Sequence, residues 1–140
     1  MSTVLLDIQQ ALELHAQAVL APVVGQAVAY PNVPFTPAEG TPWAKVDHLP
    51  ARTAPAGAGV DSQTRRPGVF QVSLYFPYGQ GTKACTDAAQ AVCDGFKRGT
   101  SLTRGATTVR VQSVSPGPGG REDTWWAVPV SVWWLVHSQD

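Results

Sequence analysis

The sequence predicts an α+β fold, drawn as a two-layer sandwich: a mostly antiparallel four-stranded sheet with two helices packed on one face. Three observations carry that prediction. Two segments repeat apolar residues at helical spacing, one near the start and one past the middle. Four others read as strands. The elements run helix, strand, long loop, strand, helix, strand, turn, strand, which is the order of an α+β domain. A chain of 140 residues has the size of one domain, expected to span 1–140 and to bury a core without staples.

The first helix is expected over Thr3 to Leu20. Leu5, Ile8, Leu12 and Val19 form its apolar stripe, and Gln9, Gln10, Glu13 and Gln17 lie elsewhere. Ser2 or Thr3 can cap it and Pro22 is expected to end it. A connector with Pro31, Pro34, Pro37 and Gly40 follows. "TPWAKVDHL", Thr41 to Leu49, is the first strand. Residues 50–68 hold few large apolar side chains and no period, which predicts a long mobile loop joining two strands.

The clearest strand follows, with Phe70, Val72, Leu74 and Phe76 alternating against Val69, Gln71, Ser73 and Tyr75. "TKACTDAAQAVCDGF" is the second helix, capped by Thr82, with Cys85, Ala88, Ala89, Val92 and Phe96 as its buried stripe. These residues are mostly small, so the helix can lie close on a sheet. "RGTSL" is a linker or strand stub. "TTVRVQSV" is a strand with Val109 and Val111 inward, and "SPGPGGRED" is a turn into the last strand, which begins at Thr124.

Charge and chemistry narrow the function. Lys plus Arg equals Asp plus Glu, so net charge gives no argument for steering the whole protein to nucleic acid or membrane. Only 14% of residues are charged. A surface that short of charge suggests cover by other chains. The "AVA" of Ala27–Ala29 imitates a leader cleavage site, but no Lys or Arg precedes Lys45, and Asp7 and Glu13 interrupt the apolar run. No segment has the length and apolarity to span a bilayer. Cys85 and Cys93 lie eight residues apart on one helix, so their Cα atoms stand about 12 Å apart. A disulfide needs less than about 7 Å. Both cysteines are expected reduced, which suits assembly in a cytoplasm.

His15, His48 and His137 are scattered without a second ligand at metal spacing. Asp47 and His48 point to opposite faces of a strand and cannot work as a pair. "GQG" at Gly79–Gly81 opens a helix but is too short to specify a phosphate site. No catalytic residue, cofactor or metal is expected. Arg52, Arg65 and Arg66 fall in the long loop against a single acid, Asp61. They read either as a solvated loop or as a contact with a polyanion or an acidic partner.

The last strand is the unusual one. Trp126, Val128, Val130, Val132, Trp134 and Val136 share one face and suit a core under helices. The other face carries Trp125, Ala127, Pro129, Ser131, Trp133 and Leu135. A two-layer domain leaves that face bare, so either nearby strands and loops shield it or another subunit covers it. Large apolar patches mark interfaces and Trp anchors them. Trp125, Pro129, Trp133 and Leu135 are therefore the candidate oligomer interface. Pro129 cannot donate to a ladder, which argues for an edge strand or a bulge. Thirteen residues at about 3.3 Å each extend about 43 Å, enough to reach the rim of a domain this size.

Taken in order, the pieces resemble the tail-terminator (tail-completion) proteins of long-tailed bacteriophages. The matching stretches are the N-terminal helix, "VPFTPAEGTPWAKVDHLPA", "RRPGVFQVSLYFPYGQGT", the Ala-rich helix to "FKRGTSL", "TTVRVQSVSPGP" and the closing "WWAVPVSVWW". The resemblance spans nearly the whole chain, and its specificity lies in order and spacing. It implies a non-enzymatic virion protein of a siphovirus-type phage, assembled in the host cytoplasm. Such a protein forms a ring, by implication hexameric, at the head-proximal end of the tail tube. It stops tube polymerisation and offers the head–tail joining surface. Implied partners are the tail tube protein, the head–tail connector proteins and genomic DNA, which passes through the lumen without sequence-specific binding. No membrane partner is implied. The loop with Arg52, Arg65 and Arg66 would face the lumen or the adjoining ring. A head–tail connector or stopper of the neck, a monomeric ligand-binding module whose tryptophans hold a ligand, and an enzyme with an unrecognised site are the alternatives.

Overall fold

The computed structural model describes residues 3–57, 59 and 63–138. Helix α1 is Val4–Val24 and α2 is Lys83–Gly95. The strands are β1 Val28–Ala29, β2 Trp43–Pro50, β3 Ala54–Pro55, β4 Thr64–Pro77, β5 Ser101–Arg104, β6 Thr107–Pro116, β7 Gly120–Glu122 and β8 Trp125–Ser138. They form one sheet in the order β1-β2-β4-β8-β6-β5, with β3 beside β4 and β7 beside β8.

This corrects the expected sandwich. The class is α+β, but the sheet has eight strands among the described residues, is mixed rather than antiparallel, and curls into an open half-barrel. The four anticipated strands are β2, β4, β6 and β8, and they pair antiparallel. The additional strands have two to four residues each. A strand that short carries no period to read. Its hydrogen bonds to a neighbour define it, as when β1 joins β2 in parallel. The curl follows from length. β4 and β8 have 14 residues each, and strand twist accumulates along such a pair instead of leaving a flat layer.

The inner face of this sheet and the two helices enclose one core. Phe70, Val72 and Leu74 on β4, Val109 and Val111 on β6, and Val130 and Val132 on β8 are all essentially solvent-free. The α2 stripe is buried as its spacing predicts, at Cys85, Ala88, Ala89, Val92 and Phe96. Burial pushes the Cys85 thiol up to about 11, so it stays protonated. The α1 stripe is rotated from its expected position. Ile8, Ala11, Leu12, Ala16 and Leu20 are buried, while Leu5 is 71% exposed. Alanines fill the near side because the helix lies close to its neighbours. α1 also runs past Pro22 to end at Gly25, whose φ of 65° suits glycine and whose N–H donates to the Ala21 carbonyl at 3.1 Å. A proline in the last turn costs one backbone bond without stopping the helix.

Two histidines tie the layers together. His15 Nε2 donates to the Gly95 carbonyl at 2.6 Å, joining α1 to the end of α2. His48 Nε2 donates to Glu13 Oε2 at 2.7 Å, joining β2 to α1. Gly95 is required there, since a Cβ would overlap the Val19 side chain.

Pro129 is accommodated in an unexpected place. β8 is central, flanked by β4 and β6, so the expected edge strand is not one. In an antiparallel ladder the N and C=O of a residue face the same neighbour. The Pro129 carbonyl accepts from Gly117 N–H at 2.7 Å. Its nitrogen therefore faces the break between β6 and β7, where no ladder acceptor is left over. The bulge lies elsewhere, at Gln112, between the Val111–Trp134 and Ser113–Trp133 pairs.

Candidate functional site

The face of the sheet away from the helices is the surface with the least cover. Register places its residues in rows across β2, β4, β8 and β6. At one end Trp43 pairs with Tyr75, and Trp125 pairs with Pro77. In the middle Asp47, Gln71, Ser131 and Ser115 form a polar row. At the other end Leu49, Val69, Trp133 and Ser113 share a row, and Pro67, Leu135 and Arg110 form the next.

The two ends differ in how they treat aromatic surface. Trp43 stacks on Tyr75 with centroids 4.1 Å apart and planes 7° from parallel. Trp125 meets Trp43 edge-on at 6.0 Å, and Phe35 from the proline-rich connector closes over Trp43 at 5.4 Å. The pairs are worth about 0.5–1.5 kcal/mol each beyond their burial. Tyr75 is only 7% exposed although it lies on the outer face. Burial first, then the Glu122 charge and its hydrogen bond, hold the Tyr75 hydroxyl above its ordinary value. This end is a small second core.

Among the described residues the opposite end has no such lid. Trp133 is 42% exposed and Leu49 51% exposed. Beside Trp133 runs an open groove of about 560 Å³, walled by Ala51, Arg65, Pro67, Gln112 and Leu135. Covering what remains open of Trp133, about 100 Å², would stabilise an assembly by about 2–3 kcal/mol. Arg110 stands directly opposite Leu135, and Arg65 opposite His137.

The candidate residues thus separate. Trp133 is open, Leu135 is half-buried between Pro67 and Arg110, Pro129 is half-buried beside Ser73, and Trp125 is half-buried against Trp43. Arg65 and Arg66 do not lie in a loop, because β4 begins at Thr64. Arg66 faces the inner side and its Nε donates to Ser138 Oγ at 3.2 Å. Arg52 is exposed in the short link between β2 and β3. Asp61 lies outside the described residues. The sequence reading missed Leu49 and Val69 as cross-strand neighbours of Trp133. The alternation of "KVDHL" and "GVFQV" could have placed them on the outer face, but only the register aligns them with Trp133.

Among the described residues no group of three His, Cys, Asp or Glu side chains could hold a metal ion. No helix among them is long and apolar enough to cross a membrane. The histidine contacts are structural: two are spent on joining layers. What the outer face offers is contact area.

The family described as phage tail terminator protein matches residues 7–134. The chain belongs to that family. As a tail terminator family member it is a structural protein of a phage tail. Comparison with curated proteins finds no match. One solved structure, whose title states no function, is 27% identical with a TM-score of 0.75, covering 92% of each chain. Another, titled as the virion of a native gene transfer agent particle, is 22% identical with a TM-score of 0.60, covering 100% of each. The second likeness speaks for the fold.

Proposed function

We propose that this tail terminator family member forms a closed ring, hexameric by family resemblance, at the head-proximal end of the tail tube. There it stops tube polymerisation and provides the surface for head–tail joining, without catalysis. Its neighbours in that position are the tail tube protein, the connector proteins of the neck, and genomic DNA crossing the lumen without sequence-specific binding. The reading carries with it a siphovirus-type tail and assembly in the host cytoplasm. In it, Trp125, Pro129, Trp133 and Leu135 belong to the contact between copies, and Arg52 and Arg65 to the surface toward the lumen or the adjoining ring. Arg66, bonded to Ser138, positions that end of the sheet.

One observation beyond family membership supports it: the row Leu49, Val69, Trp133 is apolar, aligned across three strands and open. A protein that worked alone would leave it as an adhesive patch. The test is light scattering of the purified chain, alone and with polymerised tail tube, followed by electron microscopy. A six-membered ring has a mass of about 90 kDa, six times 14.9 kDa. Trp133→Glu should leave the fold unchanged by circular dichroism and abolish the ring. A chain that stays at monomer mass in both conditions, or tubes that grow equally long with and without it, would sink the reading.

A further inference from the structure

The neutral chain is electrically polar along its longest strands. Arg65 and Arg66 begin β4. Arg52 follows Ala51, whose N–H donates to the Pro67 carbonyl at 3.0 Å. Arg110 is level with Pro67 through Leu135. Lys97 and Arg98 precede Gly99, whose N–H donates to the Val111 carbonyl at 2.9 Å, level with Gly68. With Arg104, which pairs with Thr107 beyond Arg110, seven of the ten cations therefore sit at the Trp133 end. Among the described residues two acids lie at that end, Asp7, which accepts from the Thr107 hydroxyl at 3.3 Å, and Asp94 in the last turn of α2, so the balance there is positive.

The Trp125 end has the opposite sign. Glu39 lies in the turn before β2, Glu122 ends β7 opposite Trp125, Asp123 follows it in the turn before β8, and Asp87 lies near the start of α2. Among the described residues Lys83 and Arg121 oppose them there, with Lys45 two residues along β2 from Trp43. Lys83 bonds Asp87 at 2.8 Å, and Arg121 lies over the Tyr78 ring at 4.1 Å. Arg65 and Pro77 are twelve residues apart on β4, roughly 40 Å along a strand. That far exceeds the screening length of about 8–10 Å at physiological salt. Each end thus acts on its own neighbour rather than cancelling the other.

We propose that the partner of the cationic Trp133 end is the anionic Trp125 end of a second copy of this chain, so that copies meet head to tail along the β4–β8 axis. Both halves of the charge pair are present on one chain, at opposite ends, which is the condition for a heterologous contact. Such contacts close into rings when the rotation allows it. The apolar row at Leu49, Val69 and Trp133 supplies contact area, and Arg65 and Arg110 at its border set orientation, which places Arg65 in the contact between copies rather than toward the lumen. Like ends repel, so two Trp133 ends cannot face each other. The inference rests on the ring reading and gives it a direction.

The experiment uses two charge-reversed chains, Arg65→Glu with Arg110→Glu, and Glu39→Lys with Asp87→Lys. All four positions are exposed, and thermal melts should move by no more than about 4 °C. Sedimentation is measured for wild type, each variant, and their equimolar mixture, at about 50 and 500 mM salt. Wild type should assemble and weaken with salt. Each variant alone should associate at least about tenfold more weakly. The mixture should recover assembly, because the carboxylates introduced beside Trp133 on one chain then face the ammonium groups introduced at the Trp125 end of the other. Wild type that remains monomeric both alone and with polymerised tail tube overturns the ring, and this contact with it. Wild type that assembles while both variants assemble equally well, or while the mixture fails to recover, overturns the charge polarity and leaves the ring standing. Equal binding of both variants to duplex DNA with no change in self-association would likewise count against it.

Discussion

Trp125 and Trp133 stand on the same strand and the same face, eight residues apart, yet the chain treats them differently. Trp125 is covered by Trp43, which Tyr75 and Phe35 in turn hold in place. Trp133 has Val69 and Leu49 beside it and stays 42% exposed. The difference lies in what the connector does: Phe35 closes over Trp43 at the Trp125 end, while at the other end Ala51, between β2 and β3, only borders the groove beside Trp133. Tryptophan content alone says nothing about exposure. What matters is whether another segment of the same chain passes over it.

The comparison can be broken most strongly at Trp43. Trp43→Ala should destabilise the monomer by about 3 kcal/mol, because it removes a large ring and the support of Tyr75 and Trp125. Trp133→Ala should change monomer stability by less than about 0.5 kcal/mol. Urea unfolding under monomeric conditions measures both, and equal losses at the two sites would erase the distinction drawn here.

A second change probes the inner side of the open end. The Trp134 ring lies across Gly68, and a Cβ there would overlap its six-membered ring. Gly68→Ala should cost about 1–3 kcal/mol through displacement of that ring. A stability within error of wild type would mean that the ring has room to move.

The smallest effect is in alkaline solution. Cys85 ordinarily titrates near 9.0 and is raised to about 11 in the fold, and Tyr75 is raised above 10.0. Both favour the protonated form in the folded state. Their stabilisation is therefore complete below pH 9 and falls as pH rises, first through Cys85 and then through Tyr75. Cys85→Ala should flatten the decline between about pH 9 and 11, and Tyr75→Phe the part above pH 10. Unfolding curves across that range decide it. A wild-type stability that is constant to pH 11 would contradict both burials.

The sequence by itself determined the α+β class, the four long strands, the second helix and its stripe, and the inner face of β8. Those are periodic features, and periodicity is local. It also pointed to Trp133, since a strand apolar on both faces is legible without coordinates. Tertiary structure decided the rest. The four short strands exist only through hydrogen bonds to distant neighbours. The turn of α1 that buries Ala11 and Ala16 in place of Leu5 depends on how closely the helix approaches the sheet. Pro129 reads as an edge signal until a gap between β6 and β7 is seen to receive its nitrogen. The separation of charge into two ends is invisible in a balanced composition, because residues 52, 65, 97 and 110 come together only when loops return the chain to one end of the sheet. Register and chain crossing are long-range properties, and no window of sequence contains them.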